Sequence, residues 1–330
     1  MTLPRTAFRL LALPLLLALA GCAPLITLRT ATFAPPNVPA GSLSAITPAR
    51  PGPLLPRPPN SPDVLIFGIS GRCGPPCQAP VDSWDYLSER GTMNAIAEVF
   101  TGRGLKVQVS GYAERITNDF MSRRSKLPQH GILDLISDYQ RLTGEWAVGW
   151  RNPARVIVVG HSHGAVWAHY LTALYPQVPV AALVDLDANC LAWNADHGSE
   201  VQLIGSALTR GGALLSPLQA CDSVLVKQRR VSLKDVVWPN VAENIEVQSK
   251  RWPAPPSNSP GLYFNYLFEL SSNVRLDGSK TGITTFVSVR EDHGAVTYPS
   301  SQAVLWAKAQ LTALPWLPPL PSTLGKPAAR

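Results

Sequence analysis

From Asp63 onward, short unbroken apolar runs alternate with stretches of helical spacing. "DVLIFGIS" (63–70) and "ARVIVVG" (154–160) are almost wholly apolar or small, the pattern of strands buried on both faces. "VAALVDLD" (180–187) has the same character, "LKVQVSGY" (105–112) alternates as a strand does, and "GITTFVSVRED" (282–292) is a late strand. Between them, "MNAIAEVFTGRG" (93–104) has helical spacing and a glycine stop. "ILDLISDYQRLTGEW" (132–146) sets Ile132, Leu133, Leu135, Ile136 and Tyr139 along one helical face. "AVWAHYLTALYP" (165–176) reads as a helix, and "SSQAVLWAKAQLTAL" (300–314) as a closing helix capped by serine. Strand, helix, strand in succession predicts an α/β domain over 63–315, with a mostly parallel central sheet and helices on both faces.

One stretch breaks the rhythm. Residues 190–260 carry few strand signals and read as a long insertion, either a surface excursion or a cap over a site, with "VQLIGSALTRGGALLSPLQ" (201–219) its most cap-like part. The two ends differ again. Residues 23–62 and 316–330 are rich in proline and lack a periodic apolar face, so they read as an extended tether and a poorly ordered tail. Ahead of the tether, Arg5 and Arg9 precede "LLALPLLLALA", an apolar run too short to remain across a bilayer. It ends in Leu19-Ala20-Gly21-Cys22, which resembles the lipobox of bacterial lipoproteins. That resemblance implies a signal peptide over 1–22, lipidation of Cys22 and attachment to the cell envelope. Ala23, where an aspartate would retain such a protein at the inner membrane, points to the outer membrane.

Export gives the remaining cysteines a meaning. Cys73, Cys77, Cys190 and Cys221 would meet an oxidising compartment, and the simplest pairing is Cys73–Cys77 with Cys190–Cys221. "CGPPC" lacks the spacing of a thioredoxin-like redox site, and no second ligand pair beside it suggests zinc. Composition adds little more. With 45% hydrophobic and 15% charged residues the chain affords a sizeable core, and the formal charge of +7 is spread. "SRRSK" (122–126) and "KQRR" (227–230) are its densest basic patches, without any nucleic-acid-binding motif.

The chemistry is concentrated where one strand meets the next helix. Gly160-His161-Ser162-His163-Gly164 matches G-x-S-x-G between "RVIVV" and "AVWAHYL". A serine held on a sharp strand-to-helix turn exposes its Oγ above the sheet, and the flanking glycines leave room where a side chain would strike the neighbouring strand or helix. The helix N-terminus favours negative charge developing nearby.

With this elbow and the strand–helix alternation, residues 63–314 resemble the α/β-hydrolase family, especially its lipases and esterases. The resemblance implies a Ser–acid–His order along the chain and an oxyanion hole of backbone N–H groups. "LIFGISG" (65–71) looks like the family's turn after an early strand, with Phe67 where a histidine is usual. Read this way, the backbone N–H groups of Ile69 and His163 are the oxyanion donors.

Among the histidines, His161 and His163 flank the serine and should point away from its Oγ, His169 lies on the next helix, and His130 precedes the serine. His197 and His293 both occur in Asp-His-Gly, and His293, which follows the last strand, is the expected base. For the acid, Asp187 at the end of "AALVDLD" is expected, its "LDAN" resembling the "LDPA" turn of some lipases. Asp185 reads as a structural carboxylate, Asp277 stays open as an alternative acid, and Asp292 is poorly placed to reach its neighbour His293.

The expectation is therefore a serine hydrolase of carboxylic esters, lipids included, needing no metal or organic cofactor. Two other classes stay open. One is a zinc hydrolase built on His161-x-His163, although Gly164-Ala165 stands where that motif would continue with Asp-His. The other is an inactive hydrolase fold used for binding or assembly.

Overall fold

The computed structural model describes residues 54–74, 77–209, 216–251 and 271–319. The expected signal peptide and Cys22 lie outside these residues, as does most of the tether. Among the described residues no helix is long and apolar enough to cross a membrane.

Six strands make the central sheet: β1 (Val64–Ser70), β2 (Val107–Ala113), β3 (Arg155–His161), β4 (Val180–Leu186), β5 (Val241–Ser249) and β6 (Ile283–Ser288). Their order is β2-β1-β3-β4-β5-β6, and every neighbouring pair is parallel. A parallel sheet needs helical crossovers, and these supply its cover. Leu65, Phe67 and Ile69 alternate with Val64 and Ile66 so that each set enters a separate core. The first set packs with α3 (Ile132–Trp146) and α4 (His163–Leu174). The second packs with α1 (Tyr86–Glu89), α2 (Thr92–Thr101) and α6 (Gln302–Thr312), the last capped by the Ser301 hydroxyl. The fold is α/β-hydrolase-like, with the serine turn at the C-terminal end of β3 in the middle of the sheet.

The segment read as an insertion holds several elements, two of which belong to the domain itself. α5 (Trp193–Thr209) buries Trp193 against α4, and β5 runs between β4 and β6 as a central strand. β5 escaped the apolar pattern because Asn244, Glu246 and Gln248 alternate with Ile245 and Val247, yet all of them are buried. Their polar atoms are paired inside. Asn244 donates to the Leu183 carbonyl, and Glu246 accepts from Thr285 Oγ1, Gln248 Nε2 and the Asn273 N–H. Residues 210–215 of the expected cap lie outside the described residues.

Both expected disulfide pairs are present, with Cα separations of 5.8 Å for Cys73–Cys77 and 5.9 Å for Cys190–Cys221. The ends of the domain extend further than composition suggests. Arg57, inside the expected tether, bonds Asn152, Ser61 and Asp63. Trp316, inside the expected tail, stacks on Phe100 with ring centroids 5.8 Å apart. Proline-rich composition hid these anchors because they are isolated contacts with no periodic pattern along the chain.

Candidate active site

Ser162 follows the last residue of β3 and caps α4 with φ 59° and ψ −127°, a backbone conformation rare for a residue with a side chain. The closeness of the packing explains why glycines flank it. A Cβ on Gly160 would lie 2.4 Å from Ala165 Cα, and one on Gly164 would lie 2.0 Å from the Ile69 carbonyl oxygen. The strained turn is thus held between β1 and the first turn of α4.

Asp187, His293 and Ser162 converge at this end of the sheet. Asp187 directly follows β4, and its Oδ2 lies 2.6 Å from His293 Nδ1. The carboxylate is itself held by β5, whose Ser249 donates its N–H to Oδ1 at 2.7 Å and its hydroxyl to Oδ2. The missed strand therefore orients the carboxylate that faces the histidine. Asn189, which the sequence did not single out, stands between the other two groups. Its Nδ2 lies 3.1 Å from Ser162 Oγ and 3.1 Å from His293 Nε2. The amide orientation is fixed, because Asn189 Oδ1 accepts the Leu191 N–H. An NH2 group can only donate, so in this arrangement His293 Nε2 presents its lone pair and Nδ1 carries the proton toward Asp187.

The histidines flanking the serine do point elsewhere, in two directions. His161 Nε2 contacts the His293 carbonyl at 2.7 Å, and its Nδ1 contacts the Tyr86 hydroxyl. That hydroxyl also accepts the Gly71 N–H at 2.7 Å. Donor and acceptor order is thereby forced: Gly71 N–H to Tyr86, Tyr86 O–H to His161 Nδ1, and His161 Nε2–H to the His293 carbonyl. Burial, reinforced by the neighbouring His293 and Arg90, holds the His161 pKa well below its ordinary value, so the ring stays neutral. His163 instead places Nδ1 2.8 Å from Glu114 Oε2 and Nε2 2.7 Å from the Leu191 carbonyl. Burial opposes charge on both partners, but their mutual attraction prevails, raising His163 and holding Glu114 down at about 2. The two rings thus do not converge as a His-x-His metal site requires. The ligand-type atoms grouped with His163 belong to Glu114 and His197.

The other candidates fall into place around this centre. Asp185 is buried and accepts from Asn273 and pairs with His169 Nε2 at 2.9 Å, the structural role expected of it. Asp277 is exposed in a turn, bonding the Ser279 N–H, and Asp292 caps the turn after His293 through the Gly294 and Ala295 N–H groups. His130 is exposed beside Asp119, and His197 is buried on α5.

Ile69 requires a correction. It lies inside β1, in register with Tyr112 on one side and Gly160 on the other, so its N–H belongs to the sheet. The family resemblance of "LIFGISG" implies a turn within 65–71, but Gly68 is a strand residue packed against Met93, and Phe67 lies in the core against Tyr139. The chain leaves the strand at Gly71, where an added Cβ would lie 2.7 Å from Ser162 Cβ and 2.8 Å from His163 N. That turn, anchored by Gly71 on Tyr86 and by Arg72 on Asp196 at 2.6 Å, is the one that faces the serine turn.

No protein-family model and no curated protein matches this chain by sequence. Solved structures similar to it include the esterase domain of a Rhodothermus marinus protein (14% identity, TM-score 0.33, covering 79% of this chain and 89% of that one). A lipase-esterase related protein from Clostridium acetobutylicum is 11% identical, with TM-score 0.38 and coverage of 78% and 97%. The Pyrobaculum calidifontis esterase is 14% identical, with TM-score 0.35 and coverage of 78% and 77%.

Proposed function

We propose that the protein is a serine hydrolase of carboxylic esters, with Ser162 as nucleophile, His293 as general base and acid, and Asp187 as the carboxylate that orients the imidazole. The single observation that carries this reading is the Asp187–His293 contact of 2.6 Å at the mouth of a strained serine turn, with Asn189 bridging the base to the serine oxygen. Ser162 Oγ attacks the ester carbonyl while its proton passes to His293 Nε2, which first gives up its contact with Asn189. The resulting imidazolium is stabilised by Asp187 and donates the proton to the departing alkoxide. Water then attacks the acyl-enzyme, His293 takes its proton, and Ser162 leaves with that proton restored.

The oxyanion needs donors near the elbow. The His163 N–H at the start of α4 is one, and Gly71 is committed to Tyr86, so the next amide along the β1 turn, that of Arg72, is the second. The resemblance of the elbow to that of lipases and esterases supports carboxylic esters as the substrate class, lipid esters included. The N-terminal "LAGC" supports an envelope-anchored protein lipidated at Cys22. Mass spectrometry of the mature protein tests this: an acylated N-terminal Cys22 supports anchoring, and an unmodified N-terminus elsewhere contradicts it.

The test of the reaction is covalent. A fluorophosphonate should label the purified protein once per chain at Ser162 and abolish hydrolysis of a short p-nitrophenyl ester. A zinc hydrolase would hydrolyse the ester without labelling, and a binding protein would do neither.

A further inference from the structure

The buried group below the nucleophile elbow does more than the proposed reaction asks of it. Glu114 follows β2, His163 begins α4 and His197 lies on α5, and each side chain is fully buried. His163 by itself is satisfied, between Glu114 and the Leu191 carbonyl. His197 is not: among the described residues neither of its ring nitrogens has a hydrogen bond, and its Nε2 stops 3.7 Å from Glu114 Oε2. A buried imidazole that completes no hydrogen bond is costly, and its Nε2 faces Glu114.

We propose that Glu114, His163 and His197 hold a structural divalent transition-metal ion of the zinc type. The spacing fits. Zinc–nitrogen and zinc–oxygen bonds of about 2.0–2.2 Å in a tetrahedron set ligand atoms about 3.3–3.5 Å apart. Here Glu114 Oε2 lies 2.8 Å from His163 Nδ1 and 3.7 Å from His197 Nε2, on either side of that value. The surroundings fit as well. A ligating histidine commonly donates its other N–H to a backbone carbonyl, as His163 Nε2 does to Leu191, and a ligating carboxylate is itself hydrogen-bonded, as Glu114 Oε1 is by Ser83 Oγ at 3.0 Å.

Asp196 Oδ2, 3.9 Å from His163 Nδ1 and paired with Arg72, is the nearest candidate for a fourth ligand. Two imidazoles and a carboxylate favour zinc over magnesium or calcium. Binding would displace the Nδ1 proton of His163 to solvent, while His197 offers a lone pair already free of any donor. A closed site with no exposed ligand is structural. It would lock together the end of β2, the first turn of α4 and α5, and so hold the elbow and, through Asp196 and Arg72, the turn beside it.

The experiment uses the full purified chain and reads metal content and thermal stability, so its outcome is independent of the ester-hydrolase reading. Elemental analysis should find about one zinc per chain. Removal by chelator should lower Tm by about 5 °C or more, and zinc alone should restore it. The His197→Ala and Glu114→Gln variants should lose both the metal and the zinc-dependent rise. His130→Ala, which removes the exposed Asp119–His130–Asp134 group, should lose neither. Should either buried-site variant fail to fold, the wild-type comparison still decides. A wild-type chain that carries no stoichiometric zinc and whose Tm zinc leaves unmoved overturns the proposal, as does binding lost only in His130→Ala.

Discussion

The Asn189 carboxamide stands 3.1 Å from His293 Nε2, the atom that must receive the serine proton in the proposed reaction. It donates equally to Ser162 Oγ, so one side chain sets the separation and orientation of nucleophile and base. Its own orientation is imposed by Leu191, which leaves it no freedom to turn its oxygen into the site.

This arrangement predicts different costs for two substitutions. Asn189→Ala removes both donors and should lower kcat/KM by roughly 10- to 100-fold, the value of about 1–3 kcal/mol for buried hydrogen bonds. Asn189→Asp still accepts from Leu191 but turns an acceptor toward Ser162 and His293, and should cost more at neutral pH. Steady-state kinetics on a short ester checks both. An Ala variant with wild-type turnover would remove Asn189 from the mechanism.

The carboxylate prediction separates strand ends. Asp187→Asn should slow turnover by roughly 10⁴-fold, because an amide favours the wrong imidazole tautomer. Asp277→Asn, at an exposed turn, should change little. Ser249→Ala removes the hydroxyl but keeps the N–H that Ser249 donates to Asp187, and should fall between them, at roughly 10-fold. A large loss in Asp277→Asn with none in Asp187→Asn would move the acid to the later connection.

The elbow predicts a contrast between two glycines. Gly164→Ala drives a methyl into the Ile69 carbonyl and should destabilise the fold by about 3 kcal/mol or more. Gly198→Ala, on α5 with open space around it, should stabilise by about 0.5–1 kcal/mol. Urea denaturation midpoints measure both, and a neutral Gly164→Ala would contradict the close packing of β1 on α4.

The neutral His161 predicts an acid-side loss of stability. Its folded pKa lies well below the ordinary 6.5, so the unfolded chain takes up a proton first as pH falls. Its contribution is present above about pH 6.5 and declines below it, by up to about 1.4 kcal/mol per pH unit. His169 has a raised pKa, since Asp185 outweighs the cost of burial, and its contribution changes in the opposite sense, being lost as pH rises through its folded value. The diagnostic is therefore the difference between wild type and His161→Gln. That difference should narrow as pH falls from 7 to 5; a pH-independent difference would mean that His161 is not held neutral.

What the sequence made legible follows the range of the interactions. β1, β3 and β4 are mostly apolar runs, and the serine turn is specified by residues adjacent in the chain. The placement of Asp187 and His293 together could be anticipated from strand ends read with the Ser–acid–His order that the family resemblance implies. β5 was hidden because its buried polar residues find their partners elsewhere in the chain, chiefly Thr285 and Leu183 on neighbouring strands and Asn273 in a loop. Asn189 and Glu114 carry no local signal, since each matters only through groups distant in the chain. The oxyanion donor was misplaced because Ile69 lies inside β1, and the chain turns only at Gly71, beside Ser162.

The central claim is that Ser162 is the nucleophile, and intact-mass analysis after fluorophosphonate treatment measures it most directly. The account predicts one adduct per chain on the wild-type protein, mapped to the peptide containing Ser162, with ester hydrolysis falling in step with labelling. Ser162→Ala should take no label and lose roughly 10³-fold or more in turnover while keeping its fold. Undiminished ester hydrolysis by the Ser162→Ala variant would contradict the serine mechanism.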